Sequence, residues 1–387
     1  MVMYAVQLPK RVVFGVGIGE KIDSEAKGLG AKKALVVTDA TMQKTGLLEK
    51  IEKPLREVVE VDILDKIEPE PTLAAAETVV AAARAAKYDL IVGIGGGSVL
   101  DMAKVASAAA ANPEQGVSDF LGANKIANPS VPKILVPTTA GTGAEATPFA
   151  LVIVEEKKKA IASPYNLANV VLIDPAFTAT MPPKVTASTG IDALSHAIEA
   201  FLSTGSNPLT DSFALEAIRK IANNLEEAFS HGDNLDARLK MALAAMLAGM
   251  AFGNAGVIAG HAAAHTFGAK YKIPHGVSAA LALPYMMEYN AVESDAKEKL
   301  AKVAREMGED ISGMTEEEAA SKAVACVMNM LEKLDLPTRL ADLDVPKEDL
   351  SDLAEAMSKE KGYLARNPRK IEYEDAVKMF ERMWSGE

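Results

Sequence analysis

The five histidines, His196, His231, His261, His265 and His275, all fall after position 195. Asp192 and His196 stand four apart in the string IDALSHAIEA, a spacing that puts both side chains on one helix face. His261 and His265 repeat that spacing in the stretch Gly260–Phe267, and His275 sits between Pro274 and Gly276, in a loop or at a helix start. Imidazole with carboxylate suits Fe(II), Zn(II) and similar divalent ions. Three histidines and one aspartate can hold such an ion and leave room for a substrate oxygen. The HAAAH string matches a zinc-protease motif in spacing only. The glutamate that must follow the first histidine is replaced by Ala262, which argues against peptide hydrolysis. A single histidine is more often a packed core or surface residue than a ligand. The grouping between Asp192 and His275, in an otherwise apolar stretch, is what points to a metal. His231, in Ser230-His-Gly-Asp233, reads as a plain surface turn.

A second chemistry is written in glycine. Gly93–Ser98 reads GIGGGS, directly after an apolar run and directly before a helical pattern. Glycines there let the backbone approach a pyrophosphate, and the free N–H groups of a helix start point at it. Ser98 is the expected N-cap, with Asp101 three residues on as the acid of a capping arrangement. The competing reading is a tight strand-to-helix turn without a ligand. Pro137–Glu145 (PTTAGTGAE) follows the next apolar run, and ligands of open α/β sheets bind beyond the strand C-termini. Gly15-Val-Gly-Ile-Gly19 lacks the spacing of a dinucleotide fingerprint and reads as a turn. Asp39 ends another apolar run, where an acid hydrogen-bonds ribose hydroxyls and repels a 2′-phosphate; capping a following helix is an equally good reading.

These groups need elements to hold them. Strands are expected at Ala34–Thr38, Val59–Leu64, Asp89–Ile94 and Lys133–Val136, with helices at Thr72–Ala86 and Ser98–Ala111 between them. Continuous apolar strands alternating with helices predict a parallel sheet covered on both faces. Asn112–Lys133 reads as a long loop or small excursion. From about Lys184 onward only helical patterns appear: Ile191–Leu202, Pro208–Phe229, Leu235–Phe252, Lys297–Met307 and Glu316–Leu334. Asp174–Lys184, with three prolines, is the expected boundary. The expected domains are an α/β dinucleotide-binding domain over 1–182 and an all-α metal-binding domain over 183–387, with the ligand site in a cleft between them.

Composition narrows the class. At 387 residues, 49% hydrophobic and 24% charged, the chain can bury a sizeable core. Lys plus Arg is 41 against 53 Asp plus Glu, a net charge of −12, which disfavours nucleic-acid or anionic-membrane partners. Cys326 is the single cysteine, so neither an internal disulfide nor a cysteine-rich zinc site is expected. With no long apolar run and no signal-peptide layout, a cytoplasmic protein is expected.

The ordered motifs resemble the iron-containing (group III) alcohol dehydrogenases, related in fold to glycerol dehydrogenase and dehydroquinate synthase. The resemblance covers nearly the whole chain. It runs through Val12–Gly15, Val37–Asp39, Gly95–Lys104, Pro137–Thr147, Ile173–Pro175, Thr189–Ala200, Asn207–Asp211, Ala248–Phe252, His261–Gly276 and Asn367–Arg369. It implies Asp192, His196, His261 and His275 as metal ligands, iron first and zinc second. It also implies a place for His265 near the nicotinamide, positioning substrate or relaying a proton. It implies NAD(H) as cofactor, with Asp39 at the adenosine ribose and Gly96, Gly97 and Ser98 on the pyrophosphate. Thr138, Thr139 and Thr142 would line the nucleotide, Asp101 joins this set, and a lysine of Lys157–Lys159, assigned to Lys159, would reach the nicotinamide ribose. Glu70 stands where the family usually has asparagine, the Glu155–Lys159 loop is shorter than usual, and Leu167-Ala168 lacks a common proline. The implied activity is an NAD(H)-dependent alcohol dehydrogenase or aldehyde reductase acting on a small alcohol or aldehyde, with a homodimer expected from family behaviour. A glycerol-type polyol dehydrogenase, a dehydroquinate synthase-like lyase and a non-catalytic metal-binding protein are the competing readings. The lyase would need a basic pocket, and no Lys/Arg cluster accompanies the histidines. Phe149, Phe252, Val257 and Tyr363 are candidates for an apolar substrate cavity and equally good core residues.

Overall fold

Apolar runs too short for helices become strands when both faces can be covered, and the first half of the chain follows that rule. A computed structural model describes residues 3–386. Its strands are β1 (Val12–Phe14), β2 (Lys33–Val37), β3 (Glu60–Leu64), β4 (Leu90–Gly95), β5 (Gly122–Ala123), β6 (Lys133–Pro137), β7 (Phe149–Val154), β8 (Lys157–Ala162) and β9 (Val170–Ile173). Between them run α1 (Ile22–Gly28), α2 (Ala40–Lys44), α3 (Leu47–Arg56), α4 (Leu73–Arg84), α5 (Gly97–Ala111) and α6 (Val117–Phe120). One sheet has the order β1-β9-β6-β4-β2-β3, all parallel. Its central strands β4 and β6 are buried along their whole length, as a sheet flanked by helices requires. On one side, Ile22, Ile51, Leu55 and Phe177 pack against Val36, Val92, Ile134 and Leu172.

A second, three-stranded sheet has the order β5-β8-β7. It was not legible in the sequence because the exposed run Lys157-Lys158-Lys159 carries no apolar pattern. A two-residue turn, Glu155-Glu156, with both φ positive, joins β7 to β8. The expected excursion 112–133 contains α6 and β5.

The second half is helical: α7 (Pro183–Leu202), α8 (Pro208–Ser230), α9 (Leu235–Ala255), α10 (Ala259–Tyr271), α11 (His275–Asn290), α12 (Ser294–Glu306), α13 (Glu316–Lys333), α14 (Leu350–Ser358), α15 (Lys361–Leu364) and α16 (Tyr373–Ser385). Prolines sit at the first helical position of α7 and α8, where the missing N–H costs nothing. Close helix packing depends on small residues: a Cβ on Gly190 would lie 2.3 Å from Leu225 Cδ1, so α7 meets α8 through a glycine.

The chain divides into two compact units. The α/β unit comprises 7–181 and 233–246, and the helical unit holds 182–232, 247 onward and the short segment ending at Val6. Against the expected domains 1–182 and 183–387, the N-terminal segment and the first part of α9 change sides. Inside the α/β unit, the buried Arg238 of α9 donates from Nη2 to Met181 O at 3.2 Å, tying that helix start to the end of the unit. Among the described residues, no single helix is long and apolar enough to cross a membrane.

Candidate metal centre and nucleotide loops

Asp192 and His196 lie one turn apart on α7, and His261 lies near the start of α10. His275 is the first residue of α11, following Pro274 in an extended conformation. A Cβ on Gly276 would lie 2.5 Å from Ser188 O, so only glycine lets the start of α11 press against α7 and bring His275 beside Asp192. The result is a cluster in which one ligand atom from each of Asp192, His196, His261 and His275 lies within 4.8 Å of the others. Asp192 Oδ1 is 3.6 Å from His275 Nε2 and 4.0 Å from His261 Nε2, and His196 Nδ1 is 4.0 Å from Asp192 Oδ2.

These separations are too long for hydrogen bonds. They are what ligands about 2.1 Å from a common ion show, since such atoms stand roughly 3–4 Å apart. Asp192 Oδ1 is also buried with no hydrogen-bond partner. A carboxylate oxygen left so costs on the order of 1–3 kcal/mol or more, which a divalent cation offsets. The donor set, three imidazoles and one carboxylate, suits Fe(II), Zn(II) or a similar ion, and the residues therefore fit a metal. Three of the four are buried; His275, with 28% of its side chain exposed, marks the accessible side.

The surroundings are aromatic. Phe252 stacks on His196 with centroids 4.2 Å apart. His265, one turn beyond His261, lies 5.2 Å from the His275 ring and 5.3 Å from Tyr363. Burial raises the Tyr363 phenol well above its ordinary value, so it stays protonated at all ordinary pH. Thus Phe252 and Tyr363, two of the expected cavity residues, border the histidines. His231 ends α8, exposed, with Nδ1 3.1 Å from Glu227 Oε2.

One residue of this centre was not among those expected from the sequence. Glu199, one turn beyond His196, is 1% exposed. Its Oε1 is 2.6 Å from His261 Nδ1, and its Oε2 accepts from the backbone N–H of Ile258 at 2.7 Å and of His261 at 3.3 Å. The i,i+3 spacing from His196 and the i,i+7 spacing from Asp192 were the available clue, because all three share a helix face.

In the α/β unit, the glycine loop closes β4 and opens α5. Gly96 is the N-cap, extended at φ −74°, and its carbonyl accepts from Leu100 N at 3.1 Å. The expected N-cap, Ser98, instead lies in the first turn, and its Oγ accepts from Glu70 N at 3.2 Å. First-turn amides have no intrahelical acceptor, so the N–H groups of Gly97, Ser98 and Val99 are not used inside α5. The second loop packs on the first. Cβ atoms on Gly96 and Gly97 would lie 3.4 Å and 2.8 Å from the side chains of Thr139 and Thr142, and Thr138 N donates to Gly95 O at 3.0 Å.

Asp101 was expected among the cofactor residues. It faces inward from α5, and its Oδ1 takes Lys104 Nζ at 3.3 Å while its Oδ2 takes Leu151 N at 3.0 Å. Lys104, fully buried, also donates to Thr147 Oγ1 at 3.2 Å and to Phe149 O. Asp101 therefore ties α5 to β7 through both of its oxygens. Lys158 Nζ lies 3.0 Å from Glu70 Oε1, beside Ser98, and strand alternation turns Lys159 to the opposite face of β8. Asp39 caps α2, its Oδ1 accepting from Thr41 N at 2.7 Å and Met42 N at 3.2 Å.

Two family models cover the chain: iron-containing alcohol dehydrogenase over residues 9–175, and the C-terminal part of the Fe-containing alcohol dehydrogenase family over 186–384. The chain belongs to the iron-containing alcohol dehydrogenase family. It is 37% identical over 386 residues, covering 97% of each chain, to long-chain-alcohol dehydrogenase 1 of Geobacillus thermodenitrificans. The solved structure of a 1,3-propanediol oxidoreductase superposes with a TM-score of 0.94 at 38% identity, over 99% of this chain and 100% of the other. That of sulfoacetaldehyde reductase from Bifidobacterium kashiwanohense in complex with NAD+ superposes with a TM-score of 0.91 at 27% identity, over 100% of both chains. As a family member the chain is an oxidoreductase of the alcohol dehydrogenase type, which removes the lyase and the non-catalytic readings.

Proposed function

We propose that this alcohol dehydrogenase reduces a small aldehyde, or oxidises the matching alcohol, with NAD(H) and one divalent metal, iron in the first place. The observation that carries the metal half is the cluster of Asp192, His196, His261 and His275 around an orphaned Asp192 oxygen. When bound, the metal supplies Lewis acidity to the substrate oxygen and NADH supplies the hydride. Asp192, His196, His261 and His275 hold the ion. The N–H groups of Gly97 and Ser98 bind the pyrophosphate, with Gly96 permitting its close approach. Thr138, Thr139 and Thr142 line the nucleotide, and the free oxygen of Asp39 takes a ribose hydroxyl. Lys158, through its position beside Glu70 and Ser98, replaces Lys159 as the lysine facing the cofactor loop. His265 passes the product proton at an imidazole nitrogen. Phe252 and Tyr363 exclude water from the reacting carbonyl.

The proposal extends to a cytoplasmic homodimer that needs neither nucleic acid nor membrane. The net charge of −12 supports the last two points, and family resemblance alone supports the dimer. The deciding experiment strips the metal, refills the protein anaerobically with Fe(II) or Zn(II), and follows NADH absorbance against a panel of short aldehydes. Metal-dependent oxidation of NADH is expected. NADH that binds and is never consumed with any metal refutes the reading.

A further inference from the structure

We propose that Glu199 is a positioning residue for the metal: it holds His261 in the Nδ1–H tautomer, leaving Nε2 as the lone-pair donor toward Asp192 and His275. The inference rests on the metal-site reading above and adds to it a residue outside the ligand set.

Glu199 leaves α7 on the same face as Asp192 and His196 but reaches past them to the start of α10. Each of its oxygens has a defined job. Oε2 accepts the backbone N–H groups of Ile258 and His261, at the point where α10 begins. Those are first-turn amides with no intrahelical acceptor, so the carboxylate acts as the cap that this helix start otherwise lacks, since Ile258 at the N-cap position has no side-chain oxygen. Oε1 is then aimed at His261 Nδ1, at 2.6 Å. A carboxylate can only accept, so Nδ1 must donate, and a neutral imidazole that donates at Nδ1 carries its lone pair at Nε2. Nε2 is the atom 4.0 Å from Asp192 Oδ1. One carboxylate thus sets where α10 starts, how the His261 ring is turned, and which nitrogen carries the lone pair.

The packing is built around this contact. A Cβ on Gly260 would lie 2.6 Å from Glu199 Oε1, so position 260 has room for glycine alone while the carboxylate stays in place. Burial of Glu199 to 1% exposure keeps water from competing for its oxygens.

Glu199→Gln tests the inference because it keeps the shape and changes the donors. The amide oxygen satisfies the two backbone N–H groups, which turns the NH2 toward His261 Nδ1. The ring must then accept at Nδ1 and carry its proton at Nε2, the wrong nitrogen for a ligand. Zn(II) and Co(II) affinities are measured by competition with a chromophoric chelator. Glu199→Gln is expected to bind about 10–100-fold more weakly than wild type, with the far-UV CD of the metal-free protein unchanged. Gly260→Ala, which displaces the carboxylate without removing its charge, is expected to weaken binding in the same direction. A second measurement needs no variant: nitrogen–proton correlation spectra of metal-free wild type should show His261 protonated at Nδ1. Wild-type affinity within twofold in the folded Gln variant, or an Nε2–H His261 in the wild type, overturns the proposal. Wild-type protein that binds neither ion refutes the metal-site reading itself, a failure distinct from equal binding by wild type and variant.

Discussion

At Asp39 one carboxylate oxygen, Oδ1, is committed to the backbone as the cap of α2, and the other takes no part in that cap. The cap is observed and the ribose contact is proposed, and the two separate by substitution. Asp39→Asn keeps an oxygen for the cap and loses the charge. It is expected to leave thermal stability unchanged and to raise kcat/KM for NADPH relative to NADH by about tenfold, ~1.4 kcal/mol. Asp39→Ala should show the same shift in cofactor preference and in addition lose about 1 kcal/mol of stability with the cap. Both are read from paired kinetics and urea unfolding. Glu145, 2% exposed beside the second loop, makes a pH prediction. Burial raises its carboxyl from the ordinary 4.5 to about 7. Between those values the folded protein binds more protons than the unfolded chain, so this group's contribution falls as pH rises from 4.5 through 7, and its cost is complete above 7. Glu145→Gln should therefore unfold at higher urea than wild type at pH 8, by on the order of 2 kcal/mol, and the advantage should vanish near pH 4.5.

The two loops act as a pair because α5 begins against Thr142 and Thr139. Gly97→Ala places a methyl 2.8 Å from Thr142 Cγ2 and must push the second loop off the first. Overpacking of this kind costs about 1–3 kcal/mol. Taken from the nucleotide site, it is expected to raise the NADH dissociation constant about tenfold or more, measured by fluorescence titration, with metal content unchanged because no ligand lies in this unit. Legibility differed by element. β4 and α5 were readable because a buried parallel strand is uniformly apolar and a glycine run marks its end. The helix start was misplaced by two residues: Ser98 has the better capping side chain, but the loop geometry puts Gly96 at the cap and gives the serine hydroxyl to Glu70 N. Strand β8 was invisible, since three consecutive lysines look like solvated loop until an antiparallel partner, β7, is found for them.

The ligands come from α7, α10 and α11, which the unfolded chain does not hold together. A metal that binds only the folded protein stabilises it by about 4 kcal/mol at a thousandfold excess over its Kd. Anaerobic Fe(II) or Zn(II) is therefore expected to raise Tm of the stripped protein by several degrees in calorimetry, and Asp192→Asn should abolish the rise. An equal rise in that variant would place the binding elsewhere.

The amino-acid sequence by itself determined the fold class, the two glycine-rich loops and the ligand types, because these follow from local patterns: apolar runs of strand length, helical periodicity, and histidines at i,i+4. It could not decide which side chains face which. Asp101 points into the unit because Lys104 and Leu151 N, three and fifty residues away, bond its oxygens. Lys158 and not its neighbour reaches Glu70 because pairing with β7 fixes the face of every β8 residue. Glu199 stayed hidden because its partners lie about sixty residues on, across a helix contact that exists only where Gly260 makes room. Direction and partnership are properties of packed elements, and only the tertiary structure sets them.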